Sequence, residues 1–336
     1  MITNICIDPT YYCNERCVSC RCNQITSEFP TSNALTAQKY CSIIDEFVDL
    51  GGESVSVYGG EPLTVEETFA ILSHAKKCNL TTTITTNGVL LYNEKICNKL
   101  YETGVDKIIV SLMATEKMYA SLHGKDYYER LINAIKIIQV RYPDMMERIS
   151  FHVTIQQRNY NQLPNIIKLA SQLSVRHVSF QYVSLTRQED NLLTEKILDE
   201  HFENSISHWL LPTSLLIHPD LVHECVKSIN NAVLNARQCG ISLDVDPVFF
   251  QDNTTEVLST GYFQLKGKCD LCDIILMPDG SVGACSMLQH FVVGNVNQYS
   301  LHEIINSEKF LKLKYMVENG EFLPVCKSCC RHGMFY

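Results

Sequence analysis

Three cysteines in one short stretch, Cys13-Asn14-Glu15-Arg16-Cys17-Val18-Ser19-Cys20, stand in a C-x3-C-x2-C spacing. Three thiolates held this close can take three corners of a cubane iron–sulfur cluster and leave its fourth iron open to another ligand. A structural zinc site is the competing chemistry, but such a site takes four ligands, and Cys22 could add the fourth only through a cramped C-x-C step. A second group, Cys269, Cys272, Cys285, Cys326, Cys329 and Cys330, lies near the other end of the chain. Cys269, Cys285, Cys326 and Cys329 could close a four-thiolate site, for zinc or for iron and sulfur alike, with Cys272 and Cys330 as alternatives by spacing. The remaining six of the 16 cysteines, Cys6, Cys41, Cys78, Cys97, Cys225 and Cys239, are scattered singly. A reducing compartment disfavours disulfides, so two metal sites are the natural reading of the grouping.

The next residues with chemical content are Tyr58-Gly59-Gly60-Glu61-Pro62. Two glycines allow the backbone to approach a ligand closely, and the Glu61 carboxylate can accept a hydrogen bond from an ammonium group.

These residues need a scaffold, and the chain between them alternates β-rich runs with amphipathic helical runs, the pattern of βα units in a parallel sheet. Strands are expected near 3–8, 53–58, 81–86, 107–112, 149–156 and 176–182, with helices near 37–50, 64–77, 93–103, 127–141 and 161–173 and a helical region over 194–239. The first helix shows the signal: Tyr40, Ile43, Ile44, Phe47 and Val48 share a face, Thr36 is placed as N-cap, and Gly51-Gly52 can end it. Alternation sorts each strand into an apolar, helix-facing set and a polar, inward set that includes Ser54, Ser56, Thr83, Thr85, Ser111, His152, Thr154, His177, Ser179 and Gln181, with Asn87 by continuation. A closed eight-stranded barrel fills its centre with branched apolar residues. Six strands with a polar interior therefore suggest an incomplete barrel that holds water and polar ligands; a sheet with one face in solvent is the alternative. The cysteine loop and the Gly-Gly-Glu turn fall on one rim of it. A last extended stretch lies around Ser242 to Val248, and residues 251–264 read as polar loop.

The chain's 336 residues, 46% hydrophobic and 19% charged, exclude wholesale disorder. A formal charge of −9 opposes broad attraction to nucleic acid or an anionic membrane. The N-terminus lacks a basic stretch followed by an apolar one, and no run reaches about 18 apolar residues, so a cytoplasmic protein is expected.

The pairing of C-x3-C-x2-C after strand one with a Gly-Gly-Glu-Pro turn after strand two resembles the radical S-adenosylmethionine superfamily, over residues 3 to about 182. The resemblance implies a partial (β/α)6 TIM-like barrel, a 4Fe-4S cluster held by Cys13, Cys17 and Cys20, and reductive cleavage of S-adenosylmethionine to a 5′-deoxyadenosyl radical. It further implies that Glu61, with Gly59 and Gly60, receives the methionine ammonium and that Ser111 contacts its carboxylate; Thr85, Asn87, Thr154 and Gln181 occupy cofactor-facing positions. One departure is Ser19, where the family usually has an aromatic residue against the adenine, so adenine stacking must come from elsewhere.

Residues 265–336 are similar to the SPASM/twitch extension of that superfamily: a cysteine, the piece Met277 to Cys285 with Asp279-Gly280 as turn, Val293-Gly294-Asn295-Val296, a helix from about Ser300 to Met316, and a C-x2-C pair. This resemblance implies one auxiliary 4Fe-4S cluster on Cys269, Cys285, Cys326 and Cys329. The expected organisation is a partial barrel over 1–240, a linker over 241–264 and the small cysteine-rich domain over 265–336. The implied function is hydrogen abstraction in maturation of a ribosomally made peptide, with oxidation or rearrangement of a small amino sugar or aminocyclitol as the alternative and a non-catalytic metal-binding scaffold as the reading of another class. The expected partners are that peptide or small-molecule substrate and an electron donor such as flavodoxin or ferredoxin, with no nucleic acid and no membrane.

Other residues favour plain roles. His152 and His177 face the interior as hydrogen-bonded structural histidines rather than bases, and Cys225 and Cys239 read as packing residues rather than hydrogen-atom donors. Lys76-Lys77 and Lys312-Lys314 read as solvated helix faces, while Trp209 and Tyr128 show no placement that separates function from packing.

Overall fold

The computed structural model describes residues 2–20, 22, 34–202, 213–246, 254–263, 268–288 and 291–329. Trp209 and Cys330 lie outside the described residues, as does the end of the extended stretch at 247–248, whereas the expected polar loop is described over 254–263 and contains a short helix, Thr254–Thr260.

A single ten-stranded sheet organises the chain. Strands β1 (Asn4–Ile7), β2 (Ser54–Val57), β3 (Thr81–Thr86), β4 (Lys107–Ser111), β5 (Ile149–Ile155) and β6 (His177–Tyr182) lie side by side in sequence order and parallel. Right-handed crossovers of this kind need a helix on the outer face between strands. Those helices are Ala37–Asp49, Glu67–Lys77, Glu94–Glu102, Tyr128–Arg141 and Leu163–Gln172. Their apolar stripes cover the outward strand residues: Val55, Val57, Ile84, Ile108, Val110, Phe151, Val153, Val178 and Phe180 are fully buried. The expected first helix is present with its caps, Thr36 Oγ1 accepting from Lys39 N at 3.3 Å and Gly51 at φ +83°.

The structure extends and corrects this plan in four places. Ser242–Asp246, inside the stretch expected as linker, is β7, a seventh parallel strand paired with β6. The C-terminal cysteine-rich segment does not sit apart from the sheet: β8 (Asp273–Leu276) pairs in parallel with β1, and β9 (Ser281–Gly283) and β10 (Val292–Asn295) continue the sheet antiparallel. The helical region expected over 194–239 contains two helices, Gln188–Phe202 and Val222–Cys239. The helix expected from Ser300 to Met316 is also two, Leu301–Ile305 and Glu308–Glu318. Each has its own serine cap: Ser300 forms a reciprocal box with Glu303, and Ser307 Oγ accepts from Phe310 N at 3.2 Å.

In-register strand partners share a face, so the inner surface reads in rows: Cys6, Ser56 and Thr83; then Ser111, His152 and Ser179; then Thr154 and Gln181. The expected polar interior is present. Among the described residues no helix is long and apolar enough to cross a membrane.

Candidate active site and auxiliary cysteine group

The loop that follows β1 carries Cys13, Cys17 and Cys20 and is tied down on three sides. Cys20 N donates to Cys17 O at 3.1 Å, and the Arg16 guanidinium donates to the carbonyls of Cys13 and Glu15. Asn87, just past β3, donates from Nδ2 to Asn14 Oδ1 at 2.8 Å and lies 3.8 Å from Cys13 Sγ. The three thiols are close enough to perturb one another. Burial pushes Cys13 up to about 12, with Glu61, Cys20 and Glu15 adding to it, and Cys17 is raised by burial, then by Glu15, Cys20 and Cys13. Three neutral thiols crowded together at a rim become thiolates when a cation joins them.

The Gly-Gly-Glu turn does something other than expected. A Cβ on Gly60 would lie 2.1 Å from Tyr12 O, and one on Gly59 2.4 Å from Thr10 O; Gly59 also has φ +99°. These glycines let the turn dock against the backbone of the cysteine loop, where Gly60 N donates to Thr10 O and Glu61 N to Tyr12 O, both at 2.7 Å. The Glu61 side chain is 1% exposed and already holds three donors: Leu63 N at 3.1 Å and Thr86 Oγ1 at 2.6 Å on one oxygen, Asn87 N at 2.8 Å on the other. The carboxylate expected to receive an ammonium is enclosed here and joins the ends of β2 and β3 through these three hydrogen bonds. Burial lifts it to about 7, against the pull of its hydrogen bonds.

Below the cysteine loop lies a buried network absent from the sequence reading. Glu15 (1% exposed) accepts from Tyr119 Oη at 2.7 Å and pairs with His123 Nδ1 at 2.9 Å, and Tyr119 stacks on His123. His123 Nε2 accepts from Met113 N at 3.2 Å, which leaves Nδ1 as the donor to Glu15. Cys17 Sγ is 3.7 Å from both Glu15 Oε2 and His123 Nδ1. The helix Glu116–His123 thus supports the loop from beneath, and backbone bonds from Arg16 and Val18 to His123 and Leu122 reinforce it. Ser19 Oγ donates to Met113 Sδ at 3.3 Å, so a thioether lies beside the position the family usually makes aromatic.

On the inner face, Ser111, Thr85, Thr154 and Gln181 are all partly exposed towards the interior, whereas Asn87 is 7% exposed and occupied with the cysteine loop. His152 Nδ1 bonds Ser179 Oγ at 2.8 Å, and burial pushes the imidazole down to about 4, keeping it neutral. His177 pairs with Asp244 of β7 at 3.2 Å. Asp8, which continues the inward series Asn4 and Cys6 past the end of β1, is raised by burial to about 7. Strand alternation carried one step further would have found it.

The C-terminal cysteines also converge. Cys285 is raised by burial, then by Cys329, Cys326 and Cys269, and burial pushes Cys326 up to about 12 with Cys329 and Cys269 adding to it. A cavity lined by Cys269, Cys272, Cys285, Cys329 and Cys6 lies against the paired strands β8 and β1. Ser328 Oγ, buried between Cys326 and Cys329, has no hydrogen-bond partner among the described residues. Cys269, Cys285 and Cys329 on the cavity wall, with Cys326 close by and an unpaired Ser328 hydroxyl next to it in the chain, fit an iron–sulfur cluster whose sulfurs accept hydrogen bonds. The β8–β9 turn is built as expected: Met277 N donates to Ser281 O, and Gly280 sits at φ +87°.

Comparisons with known proteins agree with this arrangement. Residues 7–170 match the Radical SAM superfamily, and residues 268–330 match the SPASM iron-sulfur cluster-binding domain. A relative described as AdoMet-dependent heme synthase, from Methanosarcina barkeri (strain Fusaro / DSM 804), is 27% identical over 330 residues, 94% of this chain and 88% of that protein. The structure of Streptococcus suis SuiB bound to precursor peptide SuiA superposes with a TM-score of 0.68 at 15% identity, over 94% of this chain and 67% of that one. Native anSMEcpe with bound AdoMet gives 0.67 at 14% identity, over 98% of this chain and 90% of that one. The fold is that of the partial TIM barrels of these enzymes, and the family's cofactors are a 4Fe-4S cluster and S-adenosylmethionine, with auxiliary iron–sulfur in the SPASM domain. The chain belongs to the radical SAM superfamily, as an enzyme with a C-terminal SPASM domain.

Proposed function

We propose that this enzyme abstracts hydrogen from a peptide substrate seated against the inner face of the sheet. One observation carries the reading: beyond Lys107, at the inner N-terminal end of β4, the described inner face of β1 to β7 holds Asn, Ser, Thr, His, Gln and Asp side chains beside Cys6 and Ile109, and no Lys or Arg. Such a surface offers donors and acceptors to amides and hydroxyls, and its acidic groups repel carboxylates. In this reading Cys13, Cys17 and Cys20 hold the first cluster, which supplies the electron that cleaves S-adenosylmethionine. Ser111, Thr85, Thr154 and Gln181 line the cofactor, and Glu61 and Asn87 position the loops around it. Cys269, Cys285, Cys326 and Cys329 hold one auxiliary 4Fe-4S cluster. An electron donor of the flavodoxin or ferredoxin type serves the first site in a reducing cytoplasm, the compartment in which so many thiols stay available to metal.

A second reading is a tetrapyrrole substrate, favoured by the heme synthase relative that matches nearly the whole chain. Haem-type macrocycles carry carboxylates, and the cation-poor inner face counts against them. The discriminating experiment gives reconstituted, reduced enzyme S-adenosylmethionine together with synthetic peptides encoded by short reading frames beside its gene, or with iron coproporphyrin. Peptide-dependent 5′-deoxyadenosine, with deuterium carried into it from a labelled peptide, is expected. Porphyrin-dependent 5′-deoxyadenosine with no response to any peptide overturns the first reading in favour of the second.

A further inference from the structure

The six scattered cysteines do not share one fate. Cys97 and Cys225 are fully buried core residues, Cys6 lines the auxiliary cavity, and Cys239 is exposed at a helix end. Cys41 and Cys78 are partly exposed on two neighbouring outer helices, apart from either cysteine group in the sequence. Cys41 and Asp45 are four residues apart on the helix Ala37–Asp49, and His74 and Cys78 are four apart at the end of the helix Glu67–Lys77. A four-residue step puts both members of a pair on one helix face. The two helices pack against each other, so the two pairs meet.

The distances are those of a ligand set. Asp45 Oδ1 is 2.7 Å from His74 Nε2 and 3.6 Å from Cys78 Sγ. The donor atoms of Asp45, His74 and Cys78 all lie within 4.8 Å of one another. Tetrahedral zinc with bonds of about 2.0–2.1 Å to nitrogen and oxygen and about 2.3 Å to sulfur separates its ligand atoms by about 3.3 Å for a nitrogen–oxygen pair and about 3.6 Å for a sulfur–oxygen pair. The sulfur–oxygen pair already fits, and the nitrogen–oxygen pair needs to open by roughly half an ångström, a small rotation of two partly exposed side chains. Cys41, one turn before Asp45 on the same helix, is near enough for its charge to act on Asp45 and Cys78, but its thiol lies outside that group of three and joins it by turning about its side-chain bond.

We propose that Cys41, Asp45, His74 and Cys78 form a zinc site, separate from both iron–sulfur groups, that fastens the first two outer helices together. With the Cys41 thiol turned onto the three converged groups, two sulfurs, one imidazole nitrogen and one carboxylate oxygen make a tetrahedral set of structural rather than open catalytic character. Binding releases the thiol protons and replaces the Asp45–His74 hydrogen bond with two metal bonds. The consequence is mechanical. The two fastened helices follow the cysteine loop and the Gly-Gly-Glu turn respectively, so the ion would hold those two βα units in register from the outside.

The test uses anaerobic protein with its iron–sulfur groups loaded, exposed to zinc chloride, treated with a weak chelator and passed through a desalting column. One zinc per chain is expected to stay, with iron content unchanged. X-ray absorption at the zinc edge, which is blind to iron, is expected to show two sulfurs and two nitrogen or oxygen ligands. Cys41→Ser with Cys78→Ser is expected to lose the zinc while keeping iron and S-adenosylmethionine cleavage. Asp45→Asn with His74→Gln gives a second route to the same loss should the serine variant fail to fold. Zinc retained equally by both double variants, a zinc shell without sulfur, zinc gained only as iron is lost, or no zinc retained by the wild type would each overturn the site.

Discussion

Glu61 shows how a residue can be found by sequence while its surroundings stay hidden. Its place in a Gly-Gly-Glu turn on the cofactor rim was legible, but its partners Thr86 and Asn87 belong to the next strand, and nothing local to Glu61 reveals that its carboxylate is enclosed by them. Glu61→Gln puts an amide donor against backbone donors, at a cost of about 1–3 kcal/mol for a buried group left unsatisfied. Because the same turn is docked on the cysteine loop, iron retention and S-adenosylmethionine affinity are expected to fall together, measured by metal analysis and titration. A change in cofactor affinity with full iron content would restore the direct ammonium contact. The pH response checks the same assignment. The folded carboxyl at about 7 lies above the usual carboxylate value of about 4.5, so the folded state binds more protons between those values. Its contribution to stability is complete below about pH 4.5 and is lost as pH rises through about 7, and urea unfolding of apoprotein is expected to lose that slope in the variant. The cysteine ligands were legible because their spacing within one loop is itself the signal. Glu15, His123 and Tyr119 were not, since a chain separation of more than a hundred residues hides a contact that only the packing of the helix Glu116–His123 creates.

Among the elements, the helices with strong apolar periodicity and the six central strands could be read directly, whereas β7 was legible only as an extended stretch and not as a member of the sheet. Its residues Ser242, Asp244 and Asp246 are polar on the inner face, and its outward Leu243 and Val245 are only half-buried at the sheet's edge, so the burial pattern that marks β1 to β6 is weak there. The Gly-Gly turn is where element packing is least forgiving. Gly60→Ala drives a methyl group to 2.1 Å from the Tyr12 carbonyl oxygen, a backbone atom that cannot rotate away. The turn and the cysteine loop must then separate. Reconstituted Gly60→Ala protein is expected to hold about four irons in place of about eight, with the C-terminal group still loaded. Wild-type iron content in that variant would show that the two loops dock independently.

At the scale of the whole molecule, the C-terminal segment is joined to the barrel sheet through β8, and the backbone bonds from Thr3 and Asn4 to Cys272 O bring the cavity of the second cysteine group against the strand that leads into the first. Cys326→Ala with Cys329→Ala removes two of the four converging thiols without touching the first loop. The expected outcome is continued cleavage of S-adenosylmethionine with loss of substrate turnover, read as 5′-deoxyadenosine formation against product by mass. Iron analysis checks that Cys272 and Cys330 have not taken over. Wild-type turnover with the second iron–sulfur group gone would leave that group a structural role at most.

The β1–β8 pairing also sets a schedule for biosynthesis. Asn4 through Ile7 are synthesised long before Asp273 through Leu276, and until those follow one edge of the strand has no partner. An apolar strand with a bare row of amide and carbonyl groups invites pairing with other chains, and contacts this distant in sequence form slowly. From the making of β2 to the making of β8, the strand that presents the first cysteine loop is therefore paired on one side only, and the greatest need for a chaperone falls in that interval.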